Sequence, residues 1–269
     1  MRHLLKQWPK IKQKLSNNFV CIFLDFDGTL TPIVSSPEKA ILGEKAKDIL
    51  KKLANHQRCQ VVIVSGRPLS NIKKLIGIKN IIYAGSHGFE FGNLQKNFEI
   101  PISNKYTTLL RSLKKKIVKN FANIPGVLIE EKKLSLSLHY RLVSKEDVRV
   151  VMNMFYDITD IHKKQGELTI MEGTKTLEIL PPLSWNKGNI VSLSLALSCT
   201  ILKNNKIIPI YIGDDVTDEN AFLALKNIGI TACVGNKGTT QADYCLKDHT
   251  EVQRFLATLL SHIQNNGLI

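Results

Sequence analysis

Apolar residues follow two different rhythms along the chain. Short β-prone runs occupy Phe19–Asp25, Gln60–Ser65 and Ile81–Ala84. The first two are followed by Glu44–Asn55 and Leu69–Ile76, where apolar residues recur at helical spacing. This strand–helix–strand alternation predicts a parallel sheet with right-handed crossovers. The rhythm returns after Pro181-Pro182, with a helix over Gly188–Leu202, a strand over Ile207–Gly213 and a helix over Glu219–Leu225. A strand over Gly229–Val234 and a helix over Glu251–Gln264 complete it. Between these halves, Tyr106–Asn120 and Lys145–Ile161 read as helices. Each precedes two strands, Val127–Lys132 with Leu134–Arg141 and Glu167–Glu172 with Lys175–Leu180. The order α-β-β-α-β-β belongs to an antiparallel sheet backed by two helices. The pattern therefore predicts an α/β chain with a doubly wound parallel-sheet core (residues 1–103 and 182–269) and an inserted α/β module at 104–181.

Composition narrows the class without changing this picture. With 43% hydrophobic and 22% charged residues among 269, the chain is neither disordered nor fibrous. The longest apolar run, Phe19–Leu24, is far short of the roughly 18 residues a membrane span needs, so no membrane partner is expected. Met1–Leu15 is basic but interrupted by Gln7, Pro9 and Gln13, unlike the apolar stretch of a secretory signal. Five cysteines with no C-x-x-C pair argue against a disulfide framework or a zinc site and fit a cytoplasmic protein. The net charge of +14 points towards anionic partners. Its densest stretch, Arg111, Lys114, Lys115, Lys116 and Lys119, lies on one helix with no interleaved aromatics. That is a solvated helix face rather than a base-stacking platform, and no specific nucleic acid is expected.

Chemistry collects at the predicted strand ends, where open parallel sheets place their sites. The first strand runs into Asp25-Phe26-Asp27-Gly28-Thr29-Leu30 and the second into Ser65-Gly66-Arg67. Lys187-Gly188 opens the helix after the inserted module, and Gly213-Asp214-Asp215 ends a later strand with Asp218 beyond. Each piece alone also occurs as an ordinary turn or cap; all four in this order do not. Asp25, Asp27, Asp214 and Asp218 concentrate negative charge that a hard cation would balance, and oxygen ligands favour Mg²⁺ over zinc. A carboxylate nucleophile, a lysine, a serine hydroxyl and a carboxylate two residues on form an inventory for phosphoryl transfer.

These motifs resemble the four motifs of the haloacid dehalogenase superfamily of aspartate phosphatases. The resemblance extends to the trehalose-6-phosphate phosphatases through Asp25–Ile33, Val64–Arg67, Gly85–Glu90, His139-Tyr140-Arg141 and Gly213–Phe222. It implies that Asp25 is the nucleophile and Asp27 the general acid/base. It further implies that Asp25, Asp214 and the main-chain carbonyl of Asp27 bind Mg²⁺, with Asp218 supporting the metal. Ser65 and Lys187 would hold the phosphate, and Arg67 and His87 would contact substrate. The inserted module resembles the family's cap, which closes over the sugar. The implied activity is hydrolysis of trehalose 6-phosphate, a sugar phosphate that a trehalose-phosphate synthase of the same pathway would supply. The alternative is another sugar-phosphate phosphatase with this cap type, acting on sucrose phosphate or mannosylglycerate phosphate.

Strand parity supplies a reading of the module independent of resemblance. In Leu134–Arg141, Leu134, Leu136, Leu138 and Tyr140 share one face, and Ser135, Ser137, His139 and Arg141 the other. Glu130 and Lys132 oppose Val127 and Ile129, and Glu178 opposes Leu177 and Ile179. Glu130, Lys132, Arg141 and Glu178 are thus candidate sugar contacts on one sheet face. The sequence departs from the family in one place. The family usually has a lysine four residues before the glutamate equivalent to Glu178, but here Thr174 holds that position. The neighbouring Lys175 has the opposite parity.

Overall fold

The computed structural model describes residues 1–34, 37–202, 206–235 and 238–265. In chain order, the elements begin with β1 (Arg2–His3), α1 (Trp8–Leu15), β2 (Phe19–Leu24), α2 (Glu44–Ala54), β3 (Cys59–Val64) and α3 (Leu69–Ile76). There follow β4 (Ile81–Gly85), β5 (Glu90–Gly92) and β6 (Asn97–Glu99). Next come α4 (Asn104–Phe121), β7 (Leu128–Glu131), β8 (Leu136–His139), α5 (Val148–Lys164), β9 (Thr169–Gly173) and β10 (Thr176–Leu180). The last stretch holds α6 (Lys187–Leu202), β11 (Ile207–Gly213), α7 (Glu219–Ala224), β12 (Ile230–Val234), β13 (Tyr244–Leu246) and α8 (His249–Asn265). Two compact units result: Met1–Glu99 with Trp185–Ile269, and Ile100–Ser184.

The first unit is built on one sheet ordered β1-β13-β12-β11-β2-β3-β4-β5-β6. Its strands pair in parallel from β1 to β4, and β5 and β6 add an antiparallel edge. Helices cover both faces. Val20, Ile22 and Leu24 of β2 pack with Leu50 and Leu53 of α2, Ile72 and Ile76 of α3, and Phe255 and Leu259 of α8. Cys21 and Phe23 point the other way, among Val62, Tyr211, Val191 of α6 and Phe222 of α7. A strand buried on both faces has no polar side to show, so β2 and β11 read as unbroken apolar runs. The chain leaves β2 towards β3 on one side and returns through β11 on the other. The crevice beyond Leu24 and Gly213 is therefore the sheet's switch point, where ligands of such folds bind.

The pattern does not announce α1, because Pro9 looks like a break. At the second position of a helix, proline removes no intrahelical bond, and Ile11 and Leu15 reach the core.

The second unit is an antiparallel sheet ordered β7-β8-β10-β9. Leu136, Leu138, Leu177 and Ile179 pack one of its faces against Leu113 and Ile117 of α4 and Val151 and Phe155 of α5. Ser103 caps α4 by accepting a hydrogen bond from the Tyr106 N–H. The strand β8 is shorter than the sequence pattern suggests. Arg141 lies beyond it, in a turn where the Val143 N–H donates to the Tyr140 carbonyl. Lys175 has φ +63° at the turn between β9 and β10, and its ammonium lies 5.7 Å from the ring centroid of Tyr140.

Candidate active site

In the first unit, Asp25 follows β2 directly and is anchored by its N–H to the Ile212 carbonyl of β11 (3.0 Å). Its carboxylate is almost wholly buried. Lys187, the first residue of α6 and 3% exposed, places Nζ 2.7 Å from Asp25 Oδ1 and 2.7 Å from Asp218 Oδ1. Asp218 is heavily engaged: Oδ1 also accepts from the Tyr211 hydroxyl (2.6 Å), and Oδ2 from the Asp215 N–H (2.8 Å). Asp214 accepts from Thr29 Oγ1 (3.3 Å). It can lie so close to the Asp25 loop only because residue 28 is glycine. Gly28 has φ +85°, and a Cβ there would come 2.2 Å from Asp214 Oδ2.

Carboxylate oxygens of Asp25, Asp214 and Asp218 thus lie within 4.8 Å of one another. Burial pushes the Asp25 carboxyl well above the usual carboxylate range; Lys187 opposes that rise, and Asp218 and Asp214 add to it. Burial alone would lower the Lys187 ammonium, but Asp218 and Asp25 outweigh it, so Lys187 stays a fixed cation. One ammonium among three carboxylates leaves negative charge uncompensated. All the donors are oxygens, and a hard divalent cation such as Mg²⁺ fits them. Asp25 and Asp214 would hold it, while Asp218, committed to three hydrogen bonds, steadies the group around it.

Asp27, expected to contribute through its main-chain carbonyl, spends its side chain elsewhere. Arg67 grips both of its oxygens at 2.6 Å. The same guanidinium reaches Asn71 Oδ1 (3.2 Å) and lies 5.4 Å from the Phe26 ring centroid. Arg67, read from sequence as a substrate contact, is therefore engaged with Asp27. Ser65 directly follows β3, with Oγ accepting from the Arg67 N–H (3.1 Å). His87 is buried at φ +58° and donates its N–H to the Ser65 carbonyl (3.0 Å). Its ring lies against Gly66, where a Cβ would come 2.7 Å from Cε1. Sequence reasoning passed over Glu90 and Tyr211. Glu90 accepts from Ser86 Oγ (2.7 Å) and the Leu69 N–H (3.4 Å), bracing this loop. A tyrosine inside the apolar run of β11 was the available signal for the other.

In the second unit, cross-strand register sorts the remaining candidates into two groups. Glu178 is buried and accepts on Oε1 from Lys132 Nζ (2.9 Å) and Ser135 Oγ (2.6 Å). Glu130 is more open and meets His139 Nε2 at 2.9 Å, while His139 Nδ1 meets Thr176 Oγ1 at 3.0 Å. Burial would raise the Glu130 carboxyl, but the His139 bond and the Lys132 charge outweigh it and hold it below its ordinary value. Ser137 lies opposite both Glu130 and Glu178, and its buried hydroxyl has no hydrogen-bond partner. Arg141 is exposed and donates to the Thr174 carbonyl (3.1 Å).

A buried aspartate at the switch point of a doubly wound sheet, locked to a lysine beside two further aspartates, belongs to a phosphatase of haloacid dehalogenase fold, a phosphoric monoester hydrolase. The chain belongs to the trehalose-phosphatase family, whose family model matches residues 23–250. It is 31% identical over 269 residues to probable trehalose-phosphate phosphatase D of Arabidopsis thaliana, covering 95% of this chain and 71% of that protein. It is 29% identical to probable trehalose-phosphate phosphatase 4 of Oryza sativa, covering 95% and 70%. Among solved structures, it is similar to the C-terminal domain of C. albicans trehalose-6-phosphate phosphatase. The TM-score is 0.82 at 25% identity, covering 97% of this chain and 98% of that one. No helix among the described residues is long and apolar enough to cross a membrane.

Proposed function

We propose that the protein hydrolyses trehalose 6-phosphate to trehalose and phosphate through an aspartyl-phosphate on Asp25, with Mg²⁺ as cofactor. The observation that carries this reading is the buried Asp25–Lys187–Asp218 chain beside Asp214, in a member of the trehalose-phosphatase family. The cation, when bound, offsets the charge of the carboxylates and of the incoming phosphate. Lys187 and Ser65 hold phosphate oxygens, and Lys187 fixes the direction of the Asp25 carboxylate. An Asp25 oxygen attacks phosphorus, the bond to the sugar oxygen breaks, and Asp27 delivers the proton that oxygen needs. Asp27 then takes a proton from the attacking water, the acyl-phosphate bond breaks, and Asp25 is regenerated. Glu130, Lys132, Arg141 and Glu178 are assigned to the sugar. His87 supports substrate binding through the Ser65–Arg67 loop.

The substrate places the enzyme after a trehalose-phosphate synthase in trehalose biosynthesis. All five cysteines are free thiols, which suits a reducing cytoplasm. The deciding experiment is phosphate release from trehalose 6-phosphate, sucrose 6-phosphate and p-nitrophenyl phosphate, with Mg²⁺ and with a chelator. Preference for the first substrate, dependence on Mg²⁺ and loss of turnover in folded Asp25→Asn are expected. Equal efficiency on both sugar phosphates would overturn the substrate, and turnover by Asp25→Asn would overturn the covalent route.

A further inference from the structure

We propose that Thr176, His139 and Glu130 form a hydrogen-bonded relay across three strands, which fixes Glu130 as an oriented, ionised acceptor for a sugar hydroxyl. His139 and Thr176 are positioning residues in this account, which rests on the assignment of Glu130 to the sugar.

The register makes the relay. Thr176 of β10 stands directly opposite His139 of β8, which in turn stands opposite Leu128 of β7. Glu130 is two residues further along β7 and so on the same face. The imidazole bridges the gap, with Nδ1 3.0 Å from Thr176 Oγ1 and Nε2 2.9 Å from Glu130 Oε2.

The placement of protons follows from donor and acceptor capacity. An ionised carboxylate only accepts, so Nε2 carries the proton that it shares with Glu130. The Thr176 hydroxyl, which can donate or accept, makes the other ring hydrogen bond, at Nδ1. Glu130 thereby fixes Nε2 as the donor, Thr176 braces the ring from its other side, and the braced ring holds the rotamer of Glu130. With Oε2 committed to His139, Oε1 is the atom left to accept from a ligand.

Accessibility separates this group from its neighbour. The side chains of His139 and Glu130 are 24% and 30% exposed, against 8% and 6% for Lys132 and Glu178. A ligand reaches Glu130 without prying apart an ion pair. The unpartnered hydroxyl of Ser137, opposite Glu130 in the ladder, lies on the same face. A histidine serving only to tie β8 to β10 would need no second partner on β7.

The test is steady-state kinetics of the full chain on trehalose 6-phosphate and p-nitrophenyl phosphate. The variants are Glu130→Ala, His139→Ala, the double variant, His139→Gln, Thr176→Val and Thr176→Ser. The ratio of kcat/KM for the sugar ester to that for the aryl ester should fall roughly 10–10²-fold in Glu130→Ala and in His139→Ala. The double variant should be no worse than Glu130→Ala, since residues acting as one unit are not additive. Thr176→Val should lower the ratio by about threefold or more, the loss of one hydrogen bond. Thr176→Ser should restore it, and the amide of His139→Gln should recover part. Multiplying effects in the double variant, or an unchanged ratio in both His139→Ala and Thr176→Val, would overturn the relay. Should His139→Ala fail to fold, Thr176→Val and its serine rescue carry the kinetic test.

An unchanged ratio in Glu130→Ala would remove Glu130 from the sugar site, and with it the acceptor half of the inference. The bracing half has its own readout, the nitrogen-15 shifts of His139 in the resting protein. A proton held on Nε2 together with an Nδ1 shift that moves in Thr176→Val supports it, and an Nδ1 shift indifferent to Thr176 sinks it.

Discussion

Arg67 closes its guanidinium on Asp27 from one side, Nε to Oδ2 and Nη2 to Oδ1, both at 2.6 Å. Two parallel charge-assisted bonds fix the plane of the carboxylate as well as its position. The Arg67 N–H meanwhile donates to Ser65 Oγ, so one residue links the group assigned to proton transfer with a group assigned to phosphate.

Arg67→Lys keeps the charge and loses the fork. Turnover should fall about 10–10²-fold on trehalose 6-phosphate and on p-nitrophenyl phosphate alike, with little change in KM, because proton transfer serves both esters. A rise in KM confined to the sugar ester would show that Arg67 acts as the substrate contact suggested by its sequence motif.

Lys187 is the only ammonium bonded to Asp25 and Asp218 among the described contacts. Lys187→Met leaves two buried carboxylates facing each other and should cost about 3–5 kcal/mol of stability, the effect of breaking a buried pair from one side. Mg²⁺ binds only the folded site, so millimolar Mg²⁺ should return part of the loss. Denaturant titrations with Mg²⁺ and with chelator measure both. Identical losses in the two would show that the cation does not share this charge cluster.

The acid limb of stability should carry the Glu130 signature. His139 and Lys132 hold its carboxyl below the ordinary 4.5 in the fold. A depressed carboxyl contributes stability that is fully present above its unfolded value and lost as pH falls through the folded one. Wild type should therefore lose an increment below pH 4.5 that Glu130→Gln does not lose. Parallel pH–stability curves for the two proteins would contradict the depressed carboxyl.

Much of the core was legible because burial on both faces leaves an unmistakable apolar run. Ile207–Gly213 and Leu69–Ile76 form β11 and α3 with the bounds their patterns predict. The edge pair β5 and β6 was not legible: each is three residues long, and Asn97–Glu99 is exposed throughout, so no hydrophobic alternation marks it. In the active site, chain order placed Asp25, Ser65, Lys187 and Asp214 at strand or helix ends. What it could not give was who bonds whom. The Arg67–Asp27 fork spans 40 residues and the His139–Thr176 contact 37, and both depend on register between strands that local sequence does not encode.

Ser137 offers a test in the opposite direction from most core substitutions. Its hydroxyl is buried with no partner, a state that costs free energy in the folded protein. Ser137→Ala should raise stability by about 1 kcal/mol, read as a shift in denaturation midpoint at constant slope. A lower midpoint would show that an ordered water satisfies the hydroxyl.

Gly28 and Gly77 together separate backbone strain from disruption of the charge cluster. Both have positive φ, +85° and +62°, which an L side chain adopts at a cost of about 1–2 kcal/mol. Their surroundings differ. A Cβ on Gly77 would meet nothing closer than the Lys73 carbonyl at 3.9 Å, whereas one on Gly28 would sit 2.2 Å from Asp214 Oδ2. Gly77→Ala should therefore lose only the strain energy, with the Mg²⁺ concentration for half-maximal activity unchanged. Gly28→Ala must also push Asp214 away from Asp25, dispersing the oxygens that would hold the cation. That concentration should rise at least about tenfold, which corresponds to roughly 1.4 kcal/mol of lost cation binding. Mg²⁺ should also stabilise Gly28→Ala less than it stabilises wild type. Activation by the same Mg²⁺ concentration in wild type and Gly28→Ala would mean that Asp214 is not a ligand, and the metal assignment would fall with it.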